Sequence, residues 1–293
     1  MKHYTNYLLV ILMIIFFGLS ACKKTEEIII PGNAAPPDPT VSNVAKENYV
    51  NKVYISILGR KPDVPEYEQG ITALEQNNLS LDNRKQLLDI VLNKPEYYQR
   101  TYEIARADLL NNIDSAEVDE TIAVFTFLLT DSTYMSAWNQ ITYEKNRLES
   151  LQQTVNELKG GIISIIEMHR KCVNNYFYDQ INMGTENFVV SMFQHFFFRY
   201  PTVSELEDGV KMVDNFSSFL FLQPGNSKDD FMTIFFDSNN YFEGQVRELY
   251  SRYLFREPTS EEMSSKAIQY KNSGSYKELQ KDILSTNEYV GLN

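Results

Sequence analysis

Three observations predict an all-α fold for this chain of 293 residues. From Asn48 onward apolar residues recur at spacings of three and four rather than two, the period of a helix with one buried face. No proline stands between Pro95 and Pro201, which leaves room for long uninterrupted helices. A short motif that stops one helix and starts the next is written three times, as "SILGRKPDVPEY" from Ser56, "HFFFRYPTVSEL" from His195 and "YLFREPTSEEM" from Tyr253. Together they predict three diverged three-helix repeat units, with a long helical insert between the first and the second.

The chain opens, over residues 1–21, on a signal peptide. Lys2 and His3 make a basic start, and Leu8 to Gly18 is an apolar run too short to span a bilayer as a mature helix. "LSAC", Leu19 to Cys22, then matches a lipobox at four positions and resembles the signal of bacterial lipoproteins. The resemblance implies lipidation of Cys22, which becomes the new N-terminus and holds the protein to a membrane. More than one acyl chain is needed for stable anchoring. Residues 22–45 carry Pro31, Pro36, Pro37 and Pro39 among polar and small residues, a composition that favours an extended, semi-stiff tether. The "KKTEE" run after Cys22 resembles the tract by which Bacteroidota send lipoproteins to the cell surface. The expected location is therefore the bacterial outer membrane, with the body facing the cell surface or the periplasm.

The units are expected at 46–100, 186–241 and 242–293, with the insert at 101–185. Aligned on Arg60, Arg199 and Arg256, they share further columns. Ten residues earlier stand Val50, Val189 and Val246; six earlier, Tyr54, Phe193 and Tyr250; two earlier, Leu58, Phe197 and Leu254. Pro62, Pro201 and Pro258 follow by two, and Glu66, Glu205 and Glu262 by six. Each unit closes on an apolar residue and a tyrosine five later: Leu92 and Tyr97, Phe236 and Tyr241, Leu284 and Tyr289. The chemistry of the columns explains them. Arginine in the last turn of a helix meets the negative end of its dipole, and proline cannot continue that helix. Asp63, Thr202 and Thr259 are placed to cap the next helix, with the glutamate three residues on completing a capping box. The three arginines are thus expected to be structural, and a third helix to pack back and end at the tyrosine against the turn. The second and third copies carry Phe198 and Phe255 where the first has Gly59.

The stretch "VNKVYISILGRKPDVPEYEQGI…LLDIVLNKPEYYQ" resembles the opening of a planctomycete cytochrome-c-associated domain of unknown function. It also resembles a helical domain repeated in secreted bacterial proteins and, more distantly, the phycobilisome linker domain. Linker domains are assembly modules, so the resemblance implies interaction rather than catalysis. No Cys-x-x-Cys-His occurs, so no covalent haem is expected.

Within the insert, Asp119 to Thr130 reads as an apolar helix. A second runs from about Met135 to Lys159, with a stripe of Trp138, Ile141, Leu148, Leu151, Val155 and Leu158 stopped at Gly160 and Gly161. "IISIIEMHRKCVNNYFYDQI" reads as the next, closing near Gly184.

Composition narrows the function. The formal net charge is −12 and no Lys/Arg stripe occurs, so nucleic acid is not an expected partner. With Cys22 lipidated, Cys172 is the only remaining thiol and no intramolecular disulfide can form. His169 and Cys172 share a helix face, but His195 is the only other histidine after the signal, too few ligands for a metal site. No cofactor is expected. Carboxylates such as Glu68, Asp108 and Asp179 are plentiful, and two could face each other as in a glycosidase. The break at Asn182, Gly184, Thr185 and Asn187 reads as a helix–loop–helix joint with aromatic core or as a binding loop lined by Tyr176, Tyr178 and Phe188. Asp114 to Ala116 and Asp131 to Thr133 resemble the short O-glycosylation acceptor of Bacteroidota. The expected function is non-enzymatic: a scaffold or binding component of a cell-surface or outer-membrane protein complex, held by its N-terminal lipid. The alternatives are a glycan-binding accessory lipoprotein of a nutrient-uptake system and a carboxylate-dependent hydrolase.

Overall fold

Ser42 begins the fold by accepting a hydrogen bond from the Ala45 amide, which caps α1 (Asn43–Leu58). The computed structural model describes residues 42–75 and 78–292. The expected signal peptide, Cys22 and the expected tether up to residue 41 lie outside the described residues. The first helix starts at Asn43, slightly ahead of the tether boundary read from composition.

Over the described residues the chain is all-α apart from one short hairpin. After α1 come α2 (Val64–Glu75), α3 (Leu81–Leu92) and α4 (Glu96–Leu109). The central segment holds α5 (Ser115–Leu128), a 3-10 turn at Ser132–Ala137, α6 (Trp138–Gln152), α7 (Thr154–Lys159), α8 (Ile165–Val173) and α9 (Tyr176–Ile181). Then follow α10 (Thr185–Phe197), α11 (Val203–Val213), β1 (Ser218–Leu220), β2 (Gln223–Gly225) and α12 (Lys228–Asp237). The chain closes with α13 (Asn239–Leu254), α14 (Ser260–Ser273), α15 (Tyr276–Leu284) and α16 (Asn287–Val290). Among the described residues no helix is long and apolar enough to cross a membrane.

The three motif turns share one geometry. Arg60 donates from Nη1 and Nη2 to the Glu66 carboxylate at 2.6 and 2.8 Å, Arg199 to Glu205 at 2.7 and 2.7 Å, and Arg256 to Glu262 at 2.9 and 2.7 Å. The same glutamates accept from the amides of Asp63, Thr202 and Thr259, at 2.9, 2.8 and 2.8 Å. Asp63 accepts in turn from the Glu66 amide at 2.8 Å, so the first copy closes its box as fully as the threonine copies do. Each arginine also lies over the ring six residues earlier, Tyr54, Phe193 or Tyr250, at 5.9, 5.1 and 5.0 Å from the centroid. That contact accounts for the aromatic column.

Each turn is entered through a left-handed residue: Gly59 at φ +73°, Phe198 at +56° and Phe255 at +55°. Glycine adopts this conformation freely, whereas a phenylalanine there costs about 1–2 kcal/mol. In the first turn glycine also lets Arg100 pack close, since a Cβ at position 59 would stand 2.8 Å from Arg100 Nε and would make that side chain shift. Phe255 is 85% exposed and Phe198 44%.

The tyrosines do not end a third helix. The third helices, α3, α12 and α15, stop at Leu92, Asp237 and Leu284, and Tyr97, Tyr241 and Tyr289 lie buried in the first turn of the following helix. Pro95, Ser238 and Thr286 precede those helices, and the latter two accept from the tyrosine amides. α13 therefore both receives the second tyrosine and leads into the third motif.

The two ends of the body meet. α15 packs on α3. Tyr49 donates to the Leu284 carbonyl at 3.1 Å, Tyr289 to Ser56 at 2.8 Å, and Lys52 to the Tyr289 carbonyl at 2.6 Å. α10 crosses α13 so closely that a Cβ at Gly244 would fall 1.7 Å from the Phe196 carbonyl oxygen. Phe193, Phe197, Phe231 and Phe235 fill the space beneath, with Phe197 and Phe235 stacked at 4.1 Å.

Two of the three helices read in the insert are each broken in two. The second of the three breaks at Gln153, and α7 turns so that it packs on α4, with Leu158 buried. The third breaks at Asn174 and Asn175. The buried Asn175 side chain accepts from the amides of Phe177 and Tyr178 and donates to the Lys171 and Cys172 carbonyls, ending α8 and starting α9 at once.

Candidate functional site

A cavity of about 200 Å³ opens where α4 passes between α1, α8, α10, α13 and α15. Its apolar wall includes Ile57, Ile104, Leu109 and Phe196. Its polar groups come from far apart in sequence: Asp108, His169, His195, Glu248, Arg252 and Gln280. A wider vestibule of about 550 Å³ shares Ser56, Ile104, Asp108, Arg252 and Tyr253 with it and adds Arg100, Glu103, Arg106 and Asn112.

Helix spacing places these groups. Glu248 and Arg252 sit one turn apart on α13, and Arg252 Nη2 reaches Glu248 Oε1 at 2.6 Å. The same nitrogen reaches Asp108 Oδ2, from α4, at 3.3 Å. One guanidinium thus draws together two carboxylates from separate helices. Burial pushes the Glu248 carboxyl above its ordinary range; Arg252 opposes this and Asp108 adds to it.

Both histidines are held by tyrosines. His169 Nδ1 lies 2.8 Å from the Tyr241 hydroxyl, and His195 Nδ1 lies 3.0 Å from that of Tyr178. Burial, with the Arg252 charge second, pushes His169 down to about 3, so this ring is neutral at physiological pH. His195 is lowered by burial, with Asp108 pulling the other way. Gln280 donates to the Tyr253 hydroxyl at 2.9 Å and accepts from Tyr97 at 2.7 Å. The cavity is built of fixed side chains with their hydrogen bonds largely made.

The motif residues lie elsewhere. Arg60, Pro62, Asp63 and Glu66, and their counterparts Arg199, Pro201, Thr202, Glu205, Arg256, Pro258, Thr259 and Glu262, form the three helix turns, and none of them lines the cavity. Cys22 lies outside the described residues. Of the pair on α8, His169 faces the cavity, whereas Cys172 is fully buried, its thiol pushed up to about 12 by burial. Among the described residues no three His, Cys, Asp or Glu side chains are grouped closely enough to hold a metal ion. The joint at Asn182 to Asn187 is built into the fold. Asn182 is buried and accepts from Ser191 at 2.6 Å, and Tyr178 and Phe188 are core residues.

Sequence reasoning counted Asp108 among many carboxylates but passed over Glu248, Arg252, Arg100 and Arg106. Glu248 and Arg252 at a spacing of four were a signal, since they share the helix face of the buried Gln245 and Leu249. Compared with known proteins, the chain matches no family model, no curated protein and no solved structure.

Proposed function

We propose that this chain is a non-enzymatic lipoprotein of the bacterial envelope, anchored through Cys22, and that it acts as a binding component of a cell-surface or outer-membrane complex. The observation that carries the binding role is the cavity. It gathers charged, aromatic and apolar side chains from six helices, and concave sites of this mixed lining are where small ligands are held. Its titratable groups are tied to one another, Glu248 and Asp108 to Arg252 and each histidine to a tyrosine. That arrangement suits holding a ligand. The anchoring rests on the signal, the lipobox and the proline-rich tether. The test is extraction of the protein from its native envelope in mild detergent, followed by mass spectrometry. The proposal expects a mature N-terminus at acylated Cys22 and a stoichiometric envelope partner. An unmodified N-terminus, or recovery of the protein alone, would count against it.

A second reading, a carboxylate-dependent hydrolase, is favoured by one observation. Glu248, raised by burial, and Asp108 converge on a single nitrogen of Arg252 within the cavity. Turnover of a nitrophenyl glycoside that Glu248→Gln abolishes would establish this reading and displace the first.

A further inference from the structure

Arg106 is one of the side chains whose buried polar atom the fold leaves without a partner. It stands on α4 between the vestibule and a groove lined by Tyr102, Leu110, Val118 and Leu151. Among the described residues its guanidinium makes no hydrogen bond and no ion pair, and its Nε is shut from solvent without an acceptor. Arg100 also lines the vestibule; its Nε is packed against Gly59, and its guanidinium pairs loosely with Glu103 at 3.7 Å. Arg252 completes the wall, but its charge is taken up by Glu248 and Asp108. A partly desolvated guanidinium without an acceptor is destabilising, and an anion seated on its accessible nitrogens would offset that.

The charges also set the valence of that anion. Glu103 and Asp108 line the vestibule beside Arg100, Arg106 and Arg252, and Glu248 lies on Arg252 behind them, so these carboxylates would repel a dianion more than a monoanion. Guanidinium forks match a carboxylate. Inward from them the vestibule leads, through Ile104, to the wall of Ile57, Leu109 and Phe196. We infer that the site takes a small amphipathic carboxylate, its anionic end held by Arg100 and Arg106 and its apolar body in the inner cavity. This rests on the binding role proposed above for the same cavity.

The test uses matched probes, 4-phenylbutanoate with its neutral amide and hexanoate with its amide, titrated calorimetrically into the full-length protein. The acids should bind on the order of tenfold more tightly than their amides. Arg106→Gln should bring the acids down to the affinity of the amides and leave the amides unchanged. Arg106→Lys, which keeps the charge, should retain a preference for the acids and covers the case in which the glutamine variant does not fold. Equal binding of acid and amide by the wild type, or a preference that survives Arg106→Gln, would overturn the anion site and leave the cavity as a neutral binding site. Binding of neither probe would overturn both the inference and the binding role beneath it.

Discussion

Replacing Glu66 by glutamine separates the ion pair from the cap. Glutamine can still accept from the Asp63 amide, so the capping geometry survives and only the charge is lost. That charge is largely buried and is contacted by Arg60 at 2.6 and 2.8 Å and by Lys94 at 2.7 Å. Fully exposed pairs contribute up to about 1 kcal/mol and breaking a buried pair costs about 3–5. Glu66 lies between these limits, with two cations, so Glu66→Gln should cost about 2 kcal/mol, or roughly 4–8 °C in Tm for a chain of this size. Glu205 has Arg199 as its one cation, and Glu205→Gln should cost about 1 kcal/mol or less. Arg60, chiefly, and Lys94 hold the Glu66 carboxyl well below the ordinary range, and Arg256 holds Glu262 down to about 2. The stability linked to them is fully present above the ordinary carboxylate pKa of about 4.3 and is lost as pH falls through the depressed folded values. Urea unfolding at neutral pH and at pH values descending from about 5 reads both effects. The gap between wild type and Glu66→Gln should shrink in acid. Equal losses for Glu66→Gln and Glu205→Gln, or a gap independent of pH, would refute the ion-pair account of the turns.

The other predictions concern backbone, packing and protonation. Phe255→Gly should leave the protein as stable or up to about 1 kcal/mol more stable, because relief of the left-handed strain outweighs the added freedom of the unfolded chain; a Tm below that of the wild type would contradict it. Gly244→Ala should cost about 3 kcal/mol or more, since its methyl group must drive α13 away from the Phe196 carbonyl; a Tm equal to wild type would show that the crossing gives way. His169 is buried and neutral, so its stabilising contribution is complete above pH about 6.5 and falls, by at most about 1.4 kcal/mol per pH unit, as pH drops toward its folded value of about 3. Unfolding of His169→Phe should show a shallower loss over that range, and the same slope as wild type would refute the assignment.

What could be read in the sequence was local. Arginine, proline, a capping residue and glutamate within seven positions specify a helix stop and start, because each acts on backbone groups within one turn of itself. The left-handed entry was legible at Gly59 and hidden at Phe198 and Phe255, where residues that avoid this conformation are held in it by the same surrounding turn. The hairpin was hidden for a similar reason. Phe221 and Leu222 occupy its two turn positions at φ +51° and +65°, where asparagine and glycine are the usual signal, and Leu222 is 93% exposed. Asn174 and Asn175 did carry a local sign of the α8–α9 break, outweighed in the reading by the apolar period around them. The cavity was beyond reach. Ser56 and Gln280, at opposite ends of its lining, meet only because α15 returns to pack on α3, and no pattern within one helix announces that.

Native mass spectrometry of the full-length protein, purified gently from the cells that produce it, tests most directly whether the cavity is the binding site. Wild type is compared with Ile104→Trp, which narrows the passage between vestibule and cavity. The account predicts a small-molecule adduct on the wild type, of one mass and one copy, that Ile104→Trp loses while keeping its fold. A wild type without an adduct, or the same adduct on both proteins, would contradict it.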